Sequence, residues 1–591
     1  MTPNETPQSS APSPAEQGQQ VAHMNPRIEK DRESIVTARR KGTGALTLAF
    51  LRLSGPGWLQ SGITVGGVSF SSSLYLGVLV GLSMMWLQPL AMILGIIMLG
   101  AIAYVTLSIR ERPLKAINDH VSPVLGWSWL FASMAANLVW SMPQYTLGTR
   151  AIQQNLFPSI LGPEAIPDPW GRIICVGFIL AICITATMFY GAGGRGVKVF
   201  EIIIKSIVSM IVLSFMGVVI KLSLAGAIDW GQILHGLIPR FQMLWEPAAT
   251  MKSHIETVAP EFQRFWTQLI VGQQRDVMIA ATAAAVGINM TFLLPYSMLR
   301  KGWDKDFRGL AIFDLSTGLF IPFILATGLV IIASASRFHM TPAPGFIPDE
   351  PGAAITAEPA PNLIGPYKAL LVQRLQADIG ADAIAALSQE QLEQQTQNLP
   401  YADRKMAAVL VKRDNLNLAK SLEPLTGEFL AQFVFGLGVL GMGISAATML
   451  MTINGLCLCE LLNRPLKGWT QRIGSLIVAP AALAAVFWTK PAPWLAMPTS
   501  VFCIILLPIA YLAFLLLMNQ KSMLGEYMPK GGKRLLWNVL MVIATSIATL
   551  VSIWSLWSRL GGWSIAVIGV FVGLIVLVHF IRKGKGRTAV A

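Results

Sequence analysis

Apolar runs of about 20 residues, the length that crosses a bilayer's hydrocarbon, recur along the chain with short polar interruptions. They fall near 55–78, 82–107, 126–148, 171–190, 199–224, 276–299, 308–334, 427–455, 472–489, 493–518, 535–557 and 562–581. This pattern predicts an all-α membrane protein with about twelve spans. Before the first run, residues 1–44 are polar and rich in Pro, Ser, Gln and Ala, which predicts a disordered tail without the layout of a signal peptide. Two gaps are long. Residues 225–275 carry a Trp- and Pro-containing stretch, and residues 337–426 begin Pro- and Ala-rich before turning helix-like. Loops of that length are usually functional or disordered; a passive surface cap is the reading preferred here over gating or oligomer contacts.

Within span 1 the apolar pattern weakens at its own centre. Ser54–Gly77 has Gly66, Gly67 and then Ser69, Ser71, Ser72 and Ser73 at mid-depth. Glycine lowers helix propensity, and serine satisfies backbone groups locally. Unwound backbone at membrane depth is tolerated only where protein or a water-filled cavity covers it. The alternative is a span whose small residues simply admit a neighbouring helix. Span 6, VGINMTFLLPYSMLRKGW, is interrupted by Asn289, Thr291 and Pro295. Spans 1 and 6 are corresponding members of two five-span halves, and paired interruptions there point to a transporter's substrate site. Other polar residues at depth are few. Asn137 and Gln144 lie in span 3 and Asp314 in span 7, with Ser445, Thr448, Thr452 and Asn454 in span 8. Asp314, near the Lys305–Arg308 end of its span, suits a coupling or a structural role. The hydroxyls read as interhelical hydrogen-bonding groups.

Composition agrees with the hydropathy pattern: of 591 residues, 53% are hydrophobic and 13% charged, against about 25% charged in a soluble domain. The net charge of +14 would suggest a nucleic-acid partner in a soluble protein, but the basic residues sit in short gaps and tails. Arg110, Arg112, Lys115, Arg195, Lys198, Arg300, Lys301, Lys305, Arg308, Arg464 and Lys467 occupy alternate gaps, followed by Lys521, Lys530, Lys533, Arg534, Arg582, Lys583, Lys585 and Arg587. By the positive-inside rule both termini are expected in the cytoplasm of a multi-pass cell-membrane protein, with 582–591 a basic tail. The five cysteines lie in or beside spans and the six histidines in loops, tails or span ends. No cofactor, disulfide or nucleic-acid partner is expected. No Ser/His/Asp or two-carboxylate arrangement falls within the membrane, so an enzyme is not expected.

On these residues the chain resembles the NRAMP family (natural resistance-associated macrophage proteins). GPGWL at Gly55 is similar to the family's GPGFL, and NLVWSMPQYTLGTRAI to its third helix. GGRGVKVFEIII before span 5 resembles its Arg-x-Leu-Glu segment, with Glu201 at the Glu. GLIP at Gly236, IFDLSTG in span 7 and SMLGEYMP at Ser522 have counterparts in the same order. The resemblance implies a leucine-transporter-like 5+5 inverted repeat and proton-coupled import of divalent metals. It divides residues 45–581 into repeat one over about 55–224, loop 225–275, repeat two over about 276–518 containing loop 337–426, and extra spans over about 535–581.

The family's metal motifs are missing. Aligned from the Gly-Pro-Gly, its Asp, Pro, Gly and Asn fall on Gly66, Gly67, Val68 and Ser69; its span-6 Met falls on Thr291 beside Met290, and its span-10 Gln on Leu506. The resemblance therefore implies a substrate site at Gly66, Gly67, Ser69, Asn289, Met290 and Thr291, with any metal held there, but without a carboxylate. Transition metals prefer carboxylate, imidazole or thiolate, whereas magnesium keeps several waters. The expected function is secondary transport of a divalent cation of the Mn, Fe or Mg kind. The alternatives are the same fold carrying a neutral or anionic solute, and a non-transporting membrane sensor or scaffold.

Overall fold

The computed structural model describes residues 26–192, 195–348, 353–488 and 493–588. Residues 1–25 of the expected tail lie outside them, as does Lys490, between the ninth and tenth expected runs. Among the described residues, ten helices are long and apolar enough to cross a membrane, eleven with one bent pair. The remaining expected span, Pro123–Ala151, is 29 residues long. Its Ser, Asn, Gln and Trp residues make it more polar than the rest.

Span 1 consists of Pro56–Thr64 (1a) and Gly67–Val80 (1b), bent by 53° at the break. Span 2 is Leu87–Ile109, span 3 Pro123–Ala151, span 4 Trp170–Ala192 and span 5 Arg195–Leu224. Span 6 consists of Pro260–Ala285 (6a) and Ile288–Lys301 (6b). Span 7 is Lys305–Phe338, wound as a π-helix over Leu315–Phe320. Spans 8 to 12 are Phe429–Leu461, Trp469–Phe487, Trp494–Met518, Gly531–Leu560 and Trp563–Arg582. Each of the twelve expected runs is thus a helix.

Helices in lipid gain nothing by hiding apolar surface from one another, so close packing through small residues decides which faces meet. Span 8 lies along span 3, where Gly443 lets the backbones touch: a Cβ there would stand 2.7 Å from the Gln144 carbonyl oxygen. Span 1b packs on span 7, and span 10 on spans 3, 6a and 11. Both interrupted spans are therefore enclosed by other helices. Spans 11 and 12 show long apolar side chains outward, including Leu535, Leu550, Trp563 and Phe580, as a lipid-facing surface should.

Two expectations change. The tail read as disordered to Gly44 instead holds a helix at Pro26–Lys41. Arg32 of that helix pairs with Asp304 (2.5 Å) and Asp306 (3.1 Å), while Ile35 and Ala38 are buried beneath it. A helix held by a distant ion pair and two small contacts leaves little trace in local hydropathy. In span 6, the break lies at Val286–Gly287, both extended, rather than across Asn289–Pro295. Pro295 sits inside the continuous helix Ile288–Lys301. The long 337–426 loop folds into five short helices, Pro361–Ile379, Ala381–Ala386, Gln389–Gln397, Tyr401–Leu410 and Asn415–Thr426, together called the cap.

Candidate functional site

The span 1 break forms because Val65 (φ −86, ψ 57) and extended Gly66 leave the helix path between 1a and 1b. Two glycines are needed for space. A Cβ on Gly66 would lie 2.8 Å from the Ala446 Cβ and one on Gly67 2.9 Å from the Leu147 Cδ2. The break leaves backbone groups to be satisfied. Gly67 N donates to Gln144 Oε1 at 2.6 Å, and Gln144 in turn donates to the Trp140 carbonyl at 3.2 Å. Ser69 Oγ donates to the Thr64 carbonyl across the break. Ser445 Oγ donates to the Gly62 carbonyl at 2.8 Å, so this span 8 hydroxyl does bind a neighbouring helix.

The span 6 break faces the same region. Gln60 of 1a donates through Nε2 to the Met290 carbonyl at 3.2 Å, which joins the two interrupted helices directly. Asn289 Oδ1 accepts from Met290 N at 2.9 Å, closing the first turn of 6b. Thr291 Oγ1 donates to the Ile288 carbonyl and accepts from Trp129 Nε1 at 2.9 Å, so this hydroxyl is occupied by the frame. Trp140 lies beside Gly287.

The structure thus places Gly66, Gly67 and Ser69 at one break and Asn289, Met290 and Thr291 at the other, with Gln60 between them. All are buried. Of the other singled-out residues, Gln144 serves the first break, and Asn137 stands on span 3 with both amide atoms buried and unpartnered. Asn289 Nδ2, Gln60 Oε1 and Trp140 Nε1 are likewise buried without partners. Unsatisfied groups of this kind are expensive in a closed interior, and three of them, on Gln60, Asn289 and Trp140, belong to residues at the two breaks. Among the described residues, no group of three or more His, Cys, Asp or Glu could hold a metal. Gln60 and Trp140 went unremarked in the sequence. Gln60 could have been found as the one amide in an apolar half-helix, whereas Trp140 gave no signal.

Asp314 is placed away from the breaks, at the start of 1a. Its Oδ2 accepts from Gly55 N (3.0 Å) and Gly57 N (2.7 Å), capping the half-helix from span 7. Beside it, Lys205 donates to the Ser54 carbonyl at 2.8 Å and Lys301 pairs with Glu201 at 3.1 Å. Spans 5, 6b and 7 therefore all grip the first turn of 1a.

Toward the cap, Tyr75 of 1b stands about 13 Å along the helix from Gly66. Its hydroxyl donates to Gln273 of 6a at 2.7 Å. Lys412 of the cap lies over the Tyr75 ring at 5.1 Å and the Trp494 ring of span 10 at 4.6 Å. Burial lowers the pKa of this ammonium to about 8, with Asp276 opposing the drop and Arg559 adding to it.

The model for natural resistance-associated macrophage protein-like sequences matches residues 406–558. No curated protein matches the chain. Among solved structures, a variant of the Eremococcus coleocola manganese transporter is 16% identical, covering 90% of this chain and 95% of its own, with a TM-score of 0.50. The same transporter bound to an aromatic bis-isothiourea substituted compound is 15% identical, covering 91% and 95%, also with a TM-score of 0.50. At this identity the likeness is one of fold. The chain has the NRAMP-like arrangement, with two five-span inverted repeats and further spans.

Proposed function

We propose that this NRAMP-like chain is a secondary transporter whose substrate site lies between the breaks of spans 1 and 6, and that its substrate is a divalent cation carried with much of its water. The observation that carries this reading is the unpartnered Gln60 Oε1, on the residue that joins 1a to Met290 of 6b, among site residues none of which is a carboxylate. Amide oxygens and free carbonyls can accept from the waters of a hydrated ion, which suits magnesium better than a metal that must be stripped and held directly. Alternating basic gaps favour a cell-membrane orientation with both termini in the cytoplasm. The first turn of 1a would then be gripped from the cytoplasmic side, and the cap would face outward.

A second reading, transport of a neutral or anionic solute, is favoured by the unpartnered donors Asn289 Nδ2 and Trp140 Nε1. It is favoured too by the lysine over Tyr75.

The test is uptake by proteoliposomes loaded with a metal-sensitive dye, for magnesium, manganese and iron in turn, with and without a pH gradient. Dye response above empty vesicles, abolished by Gly67→Trp, is the expected result. No response to any of the three would leave the second reading.

A further inference from the structure

Spans 2, 7 and 11 enclose an open groove of about 560 Å3 that the transport reading does not use. Its walls include Ile96 and Gly100 from span 2, Leu315 and Phe320 from span 7, and Leu536 and Trp537 from span 11. Its one hydroxyl, on Ser316, is turned back onto the Ile312 carbonyl at 2.9 Å. Ligand pockets span about 300–1,000 Å3, but this one offers almost nothing polar to a soluble ligand. A groove of this chemistry within membrane spans is suited to a lipid chain.

The head of such a lipid is met at one end. Tyr104 lies one turn beyond Gly100, Arg308 one turn before Ile312, and Lys533 one turn before Trp537, so all three helices carry their polar residue at the same end. The rings of Tyr104 and Trp537 are 6.2 Å apart, joining that end to the groove. Arg308 lies over Tyr104 at 4.5 Å and Tyr527 at 5.3 Å, with its Nε buried and unpartnered. Lys305 donates to the Tyr527 hydroxyl at 2.9 Å, and Tyr104 to the Tyr527 carbonyl at 2.8 Å. Of the nearby acids, Asp306 is held by Arg32, leaving Glu526 against Lys305 and Arg308, with Lys533 at the same end of its own helix. Basic pockets between spans take anionic headgroups.

We propose that this groove and its basic end form one binding site for an anionic phospholipid, with an acyl chain in the groove and the phosphate on Lys305, Arg308 and Lys533. The chain would lie against the π-helical turn Leu315–Phe320, which directly follows Asp314, the residue capping 1a. Lipid occupancy would thereby brace the grip on that half-helix.

The test is thermal melting of the purified full chain in detergent with added phosphatidylglycerol, phosphatidylcholine or soluble glycerol phosphate. Binding to the native state raises the melting point. Phosphatidylglycerol is expected to give at least about three times the shift of phosphatidylcholine, and glycerol phosphate none. The Lys305→Gln, Arg308→Gln, Lys533→Gln variant should lose that preference. Gly100→Leu, whose Cβ would stand 3.4 Å from Trp537, should weaken the response to both lipids. Equal shifts from the two lipids overturn the proposal, as does full stabilisation by glycerol phosphate or an undiminished preference in the neutralised variant. Native mass spectrometry of the wild type from an equimolar mixture gives a readout independent of any variant. Phosphatidylglycerol retained about fivefold over phosphatidylcholine is expected, and equal retention counts against the site.

Discussion

Gln144 is the side chain on which the span 1 break most depends. Its Oε1 is the acceptor for Gly67 N at 2.6 Å, at a depth where water cannot substitute. Gln144→Leu would leave that N–H unsatisfied, at a cost of about 1–3 kcal/mol. We expect a lower melting temperature and at least about a tenfold loss of flux, since a mispositioned break loses the site with it. Gln144→Glu retains the acceptor and should melt closer to wild type. Lys412 provides a separate test at the same scale. Burial disfavours its charged form, so between pH 8 and the usual 10.5 for lysine the unfolded chain binds more protons than the folded one. Stability should therefore rise with pH across that window, by an amount on the order of 3 kcal/mol, and Lys412→Met should remove this component. Melting curves of the two proteins from pH 7 to 10.5 decide it; parallel curves would sink the prediction. These single-residue features were unevenly legible. Gly66 and Gly67 interrupt an otherwise apolar run and stand out, and Asn289 and Thr291 do so less strongly. That Thr291 is held by Trp129 while Gln60 keeps a free oxygen depends on contacts more than 150 residues apart in sequence.

Span 1a behaves as a short element held at its start and its middle. At the middle Gln60 ties it to 6b. At the start, Asp314 and Lys205 bind residues 54–57, with the Lys301–Glu201 pair against Gly55. Gly57 is required there, because a Cβ would stand 2.1 Å from the Asp314 carbonyl oxygen. Gly57→Val should therefore push 1a off span 7 without altering either break. A thiol placed at Ser61, which is buried, reports on this. Ser61→Cys should label slowly alone and at least about tenfold faster with Gly57→Val, as local opening exposes it. The native cysteines are all buried and give a low background. Equal labelling rates would mean that 1a is fixed by something other than this contact. The interruption in span 1 was readable because glycines and serines replaced a run of large apolar residues. In span 6 the proline was the conspicuous signal, yet the helix runs through Pro295 and opens at Val286–Gly287, where both residues take ordinary extended backbone. Sequence pattern locates weak points in a helix; the neighbouring helices determine which of them yields.

Across the whole molecule, the cap ties together parts that alternating access would need to separate. Arg374 and Asp403, both buried, pair at 3.0 Å, and Trp266 of 6a donates to the same carboxylate at 2.6 Å. Asp414 at the other end of the cap pairs with Arg150 of span 3 at 3.2 Å, and Asn415 donates to Asn155 just beyond that span at 2.7 Å. One group of contacts thus holds the interrupted span 6 and the other the span 3 framework, with Lys412 over Tyr75 between them. A surface covering with no mechanical role would not need buried ion pairs, whose desolvation is costly unless the geometry is good. The hydropathy pattern showed only that residues 337–426 leave the membrane and turn helical; which spans they fasten depends on charges paired over long sequence distances. Asp403→Ala would leave buried Arg374 only the longer pair to half-exposed Asp378 (3.5 Å) and remove the acceptor of Trp266, at a cost of up to about 3–5 kcal/mol. If the cap is the clamp, amide exchange should rise over residues 361–426 and in the part of 6a near Trp266, while span 8 stays protected. Flux should change at the same time, because the two anchored regions would be released from one another. Faster exchange confined to the cap, with flux unaltered, would make it a covering after all.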